Sequence, residues 1–248
     1  MQLGAQLYTL RDQMSADPAA TLARVAEIGY QHIQVSGFSY DASELKSLCD
    51  ELGLQIQLTH TPPERILNDT QAVIADHKTM NCPYVGLGGM PHQYRCAGGA
   101  KSFIEEFTPA MQAFADAGLK FQYHNHSFEF ERVGSMTIFD ELIALSDPAL
   151  LGFILDTYWV QHGGLDVPAL IRRMAGRIDV CHLKDMTIVN NEQRYAPVGY
   201  GNMNWPPILA AFAEIGTQFA FVEQDECYGE DPLCELEKSF SSLRCVLS

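Results

Sequence analysis

Short runs rich in β-branched and aromatic residues alternate along the chain with longer stretches whose apolar positions recur every three to four residues and stop at glycine. The short runs predict strands at Leu3–Leu10, His32–Gly37, Gln55–Thr61, Tyr84–Met90, Lys120–His126, Leu151–Trp159, Arg177–Asp185 and Phe219–Glu226. Between the first two, Leu22, Val25, Ala26 and Ile28 share one face of a helix over Pro18–Gly29, which Gly29 terminates. The same grammar recurs at Asp41–Gly53, with Asp41 or Ser43 as cap, and at Ser102–Gly118 and Asn204–Gly216.

Strand followed by helix, repeated, implies parallel strands joined by right-handed crossovers. Eight rounds close most simply into a single (β/α)₈ barrel over residues 1–248, with an open doubly wound sheet as the alternative. No internal repeat or low-complexity linker interrupts the pattern. The connection Asn190–Asn204 after the seventh strand is long and is a candidate lid.

Composition narrows the function. A formal charge of −15 is unfavourable for approaching a phosphate backbone, so nucleic acid is not expected as a partner. No apolar run reaches the ~20 residues that span a bilayer, and the N-terminus lacks an export signal, so a cytoplasmic protein without a membrane partner is expected. The cysteines (Cys49, Cys82, Cys96, Cys181, Cys227, Cys234 and Cys245) are scattered and never form C-x-x-C, which reads as reduced, mostly buried thiols. Homo-oligomerisation is left open.

In a parallel barrel the chemistry gathers at the C-terminal strand ends. Strand five ends Tyr-His-Asn-His126, strand six Ile-Leu-Asp156, strand seven Val-Cys-His182-Leu-Lys184-Asp185 and strand eight Phe-Val-Glu223. Four consecutive strands thus bring His124, Asp156, His182 and Glu223 to one rim. Imidazole nitrogen with carboxylate oxygen suits one divalent ion of the transition type, Mn²⁺ first, with Zn²⁺, Co²⁺ or Fe²⁺ as alternatives.

The segments Gly118–His126, Gly152–Trp159, Cys181–Asp185, Val198–Trp205 and Phe221–Glu226, in this order and spacing, resemble the xylose isomerase-like TIM-barrel superfamily over the whole chain. That group includes sugar and sugar phosphate isomerases and epimerases, inosose dehydratases and the endonuclease IV group. The resemblance implies that Asp156, His182 and Glu223 occupy metal-binding positions. Where epimerases of the group carry a strand-five glutamate that also shuttles a proton, this chain has His124. The pattern is similar to the inosose dehydratases and to barrels that eliminate or hydrate 3-keto-glycosides.

The implied reaction removes a proton beside a carbonyl and builds an enediolate, which a Lewis-acidic ion stabilises. Glu223 and His126 are the candidate bases, His126 because it shares the inward face with His124. Lys184 is a candidate acid or substrate-oxygen ligand, and Asp185 a substrate contact or the partner that orients His182. His60 is a candidate substrate contact, Trp159 and Phe38 candidates to cover a sugar ring, and Glu129 a fallback ligand should His124 contact substrate instead. His32, His77, His92 and His162 read as surface or loop residues. The resulting expectation is a metal-dependent sugar isomerase/epimerase or carbon–oxygen lyase acting on a small sugar or keto-sugar. The alternatives are an abasic-site endonuclease, which the charge disfavours, and a non-catalytic sugar-binding subunit.

Overall fold

The computed structural model describes residues 1–247 and is a closed eight-stranded parallel barrel ringed by helices. The barrel strands are β1 (Gln2–Gln6), β2 (His32–Val35), β3 (Gln55–His60), β4 (Tyr84–Leu87), β5 (Lys120–His124), β6 (Leu151–Asp156), β7 (Val180–Leu183) and β8 (Phe219–Val222). They pair in sequence order, and β8 closes the ring on β1 through Gly4–Phe221 register. A long helix follows each strand: α1 (Pro18–Ile28), α2 (Ala42–Glu51), α3 (Thr70–Met80), α4 (Gly99–Asp116), α5 (Ile138–Leu145), α6 (Val167–Arg173), α7 (Trp205–Ile215) and α8 (Pro232–Leu247). The first two helices start where polar side chains accept orphan backbone donors: Asp17 takes the Ala20 N–H, and Asp41 those of Ser43 and Glu44. No helix among the described residues is long and apolar enough to cross a membrane.

Alternation along each strand sends one set of residues into the barrel and the other against the helices. The inward set includes Leu58, Tyr84, Ile154, Val180 and Phe221, which pack as a small separate core. Two glycines make room for it. A Cβ on Gly4 would stand 2.6 Å from the Phe221 ring, and one on Gly86 would run into the Thr59 carbonyl. The same alternation carries Ile154 on to Asp156, Val180 to His182 and Phe221 to Glu223, so this plug is the floor of the site.

Several predicted strands are too long. After β1, Leu7–Leu10 form a 3₁₀ turn because the Gln6 side chain accepts the Tyr8 N–H, and after β6, Thr157–His162 are helical because Asp156 accepts the Trp159 N–H. Strands seven and eight likewise stop at Leu183 and Val222. Half of the candidate lid is a β-hairpin, Asp185–Val189 paired with Glu192–Ala196 and turned by Asn190 and Asn191 at positive φ. The other half is pinned: Asp185 accepts the N–H groups of Gly199, Gly201 and Met203 and the Trp205 indole N–H.

Two histidines assigned to the surface are buried. His32 lies inside the barrel with its ring 5.1 Å from that of Phe219, and His77 sits between the Thr59 hydroxyl at 2.9 Å and the Val73 carbonyl at 2.8 Å. His92 and His162 are exposed as expected. Burial holds for Cys49, Cys82 and Cys181, whereas Cys227 is half-buried and Cys96, Cys234 and Cys245 are exposed. Of the exposed three, Cys96 lies on the loop before α4, and Cys234 and Cys245 lie on α8.

Candidate metal centre

His124, Asp156, His182 and Glu223 converge at the C-terminal mouth, all buried, each offering one ligand atom, with those atoms within 4.8 Å of one another. His124 Nε2 lies 3.3 Å from Asp156 Oδ2, and His182 Nδ1 lies 2.9 Å from Glu223 Oε2 and 3.7 Å from Asp156 Oδ2. The far nitrogen of each ring has an acceptor: the Gly88 carbonyl at 3.2 Å from His124 Nδ1 and Gln34 Oε1 at 2.7 Å from His182 Nε2. With an ion bound, protons held there would leave the other nitrogen of each ring free to ligate, the tautomers a metal-binding imidazole needs. The Asn125 side chain adds a brace by accepting the Asp156 backbone N–H at 3.0 Å.

Lys184 is the cation of this centre. It is buried, with its ammonium 2.7 Å from Asp225, 3.3 Å from Glu223 and 3.8 Å from Asp156, and the rings of Trp159 and Tyr195 stand 5.1 Å from it. Burial alone favours the neutral amine, but Glu223 and Asp156 outweigh it and hold the proton far more firmly than in a free lysine. Reciprocally, burial pushes Glu223 up, and Lys184 and His182 overcome it, holding the carboxyl well below the usual range. Burial lowers His182, yet Glu223 and Asp156 raise it to about 9. With both imidazoles neutral as metal ligands, three carboxylates, Asp156, Glu223 and Asp225, face the single ammonium of Lys184, leaving two negative charges that a dication would balance. The residues present therefore fit a divalent ion.

Over the cluster opens a cavity of about 260 Å³, lined by Tyr8, Ser36, His60, Gly88, His126 and Asp225 beside His124, Lys184 and Glu223. Burial, reinforced by His124, keeps the His126 ring neutral by lowering it to about 3, and burial followed by His124 and His182 does the same for His60. His60 Nε2 and His126 Nδ1 are buried without a hydrogen-bond partner, as is the Trp159 indole nitrogen, whose ring lies 5.2 Å from His126. Glycine leaves room at the β4 end, since a Cβ on Gly88 or Gly89 would press on His60 or His126 at 3.1 and 3.0 Å, and Gly89 also holds a positive φ.

Three expectations fail against this geometry. Asp185 neither faces the cavity nor touches His182, because it opens the hairpin strand after β7 and turns to the loop that it pins. Glu129 is no fallback ligand: its two oxygens accept the Tyr123 hydroxyl at 2.6 Å and the His126 backbone N–H at 2.8 Å, away from the cluster. Phe38 packs with Tyr40 along a different surface groove. Sequence reasoning also passed over Gln34, Asn125, Asp225 and Tyr8. Gln34 and Asp225 carried a signal, the first as a polar residue inside the apolar run Ile33–Val35 and the second two positions past Glu223, on the same face.

Comparison with known proteins agrees with this architecture. The family model of xylose isomerase-like TIM barrels matches residues 22–244. The inosose dehydratase of Geobacillus kaustophilus is 24% identical over 235 aligned residues, spanning 78% of this chain and 75% of that protein. A solved sugar phosphate isomerase/epimerase from Parabacteroides distasonis superposes with a TM-score of 0.85 at 24% identity, covering 98% of this chain and 93% of the other. The IolI protein with a bound zinc atom superposes with a TM-score of 0.74 at 15% identity, covering 100% and 98%. With the barrel closed in the same way and the match running through nearly every strand, this chain belongs to the family of xylose isomerase-like TIM barrels.

Proposed function

We propose that this protein is a divalent-metal-dependent enzyme acting on a small sugar or keto-sugar, with elimination or hydration beside a carbonyl preferred over epimerisation at a single carbon. The observation that carries it is the buried cluster of His124, Asp156, His182 and Glu223 under a sugar-sized cavity. A bound ion supplies Lewis acidity where negative charge develops on a substrate oxygen. Mixed nitrogen and oxygen donors suit Mn²⁺, the ion we expect, and equally Zn²⁺, which the IolI structure carries.

The chain's own residues do the remainder. Glu223, ionised at the cavity floor, takes the proton, with neutral His126 as the rival base. Lys184 keeps its proton and donates a hydrogen bond to a substrate oxygen, while the unpartnered His60 Nε2 meets a hydroxyl and Trp159 borders the ring. His124 is a neutral donor where return of a proton to the opposite face of the same carbon needs a second carboxylate. Relation to an inosose dehydratase supports the lyase branch.

The test is turnover on a panel of 3-keto-sugars and free ketohexoses, with protein stripped by chelator and reloaded with Mn²⁺, Zn²⁺ or Co²⁺. Elimination or hydration restored by metal is the expected result. Activity indifferent to chelation sinks the metal role, and faster epimerisation of free ketohexoses returns the protein to the isomerases.

A further inference from the structure

We infer that Gln34 is a positioning residue that fixes which nitrogen of His182 faces the carboxylates, and so sets the strength of the metal centre. Gln34 lies 148 positions from His182 in sequence, on β2, and its side chain crosses the barrel interior to place Oε1 2.7 Å from His182 Nε2. Both residues are fully buried, so no water competes for that nitrogen. An imidazole that offers Nδ1 as ligand carries its proton on Nε2, and inside a barrel that proton needs an acceptor. The Gly88 carbonyl does this for His124; for His182 Gln34 is the acceptor at hand.

A second observation separates this role from packing. The Gln34 amide nitrogen is buried and has no hydrogen-bond partner, and neither has that of Gln6, its register neighbour on β1. A buried unpaired N–H is costly, and an aliphatic side chain would fill the same space without it. What an aliphatic residue lacks is the acceptor oxygen. The sequence had offered Asp185 for this duty, but Asp185 is committed to the loop over Gly199–Trp205.

The inference rests on the metal reading, and its test keeps the two apart. Zn²⁺ is titrated in competition with a chelator into wild type, Gln34→Leu and Gln34→Glu, with circular dichroism melts beside each and ¹⁵N NMR of the imidazoles in the zinc-loaded proteins. Loss of the acceptor is expected to weaken Zn²⁺ binding about 10- to 100-fold in Gln34→Leu, the usual effect of removing such a partner. Gln34→Glu keeps an acceptor of greater basicity and is expected to bind at least as tightly as wild type, with the His182 Nε2 proton shifted further downfield. A purely structural glutamine predicts the reverse order, since leucine suits the buried site and a carboxylate does not. Equal binding by wild type and Gln34→Leu, or equal weakening in both variants, overturns the role of Gln34. A wild type that binds no Zn²⁺ overturns the metal reading itself. Gln34→Met, of similar length and without an acceptor, replaces Gln34→Leu if the latter does not fold.

Discussion

Glu223 Oε2 lies 3.3 Å from the Lys184 ammonium and shares the same oxygen with His182 Nδ1 at 2.9 Å. A carboxylate so placed is anchored through one oxygen, which lets ligation and proton transfer be separated by substitution. Glu223→Gln keeps shape and one acceptor but removes basicity. Turnover normalised to bound metal is expected to fall by roughly 10²–10⁴, the contribution of a positioned general base. His126→Asn is measured alongside. If normalised turnover survives Glu223→Gln and collapses in His126→Asn, the base is His126.

Metal content gives a second prediction. Asp156 and His182 sit opposite each other in strand register and together supply two of the four ligand atoms. Asp156→Ala and His182→Ala are each expected to bind much less than the roughly one ion per chain of wild type, read by elemental analysis. Undiminished binding in both would mean that the ligands lie elsewhere.

The rim residues were legible in the sequence because each ends an apolar run, and a buried Asp, His or Glu there is too costly to be incidental. What escaped was mostly a matter of face. His182 on β7 and Lys184 just past its end both turn into the site, which leaves Asp185 turned away from it, so its adjacency in sequence misled. His77 continues the buried Val73 and Met80 stripe on α3, a helical spacing that names it a core residue. Strand ends at Gln6 and Asp156 were overrun because Leu7–Leu10 and Thr157–Trp159 continue the β-rich runs, and only the side-chain caps turn them into helix. Gln34 was legible only as an anomaly, since its partner lies 148 residues away.

Asp185 yields a third prediction. Five donors converge on its buried carboxylate, the backbone N–H groups of Met186, Gly199, Gly201 and Met203 and the Trp205 indole. Asp185→Ala strands all of them, so the variant is expected to lose several kcal/mol of stability, at about 1–3 kcal/mol for each buried group left unpaired. Zn²⁺ affinity of the folded fraction should stay near wild type, because Asp185 touches none of the ligands. Denaturant melts and metal titration check both halves, and weakened Zn²⁺ binding with intact stability would restore Asp185 to the metal centre.

Glu129 makes a prediction about pH. Burial raises its carboxyl from the model-peptide value of 4.5 to about 7, even though the Tyr123 hydroxyl and the His126 N–H both favour the ionised form. Because the folded-state value exceeds the unfolded one, the folded protein binds this proton more tightly. The stabilisation that results is complete below about 4.5, declines as pH rises, and is lost once pH passes about 7. Its size is on the order of 3 kcal/mol, at 1.36 kcal/mol per pK unit. Other groups titrate over the same range, so the informative quantity is a difference. Glu129→Gln is neutral throughout, and its amide oxygen still accepts the His126 N–H while its nitrogen donates to a reoriented Tyr123 hydroxyl. The stability of Glu129→Gln relative to wild type, from urea melts on the mildly acidic and mildly alkaline sides of this window, is therefore expected to improve as pH rises. A difference that stays flat would show that the buried carboxyl is ionised in the folded protein at every pH tested, with the two hydrogen bonds outweighing burial.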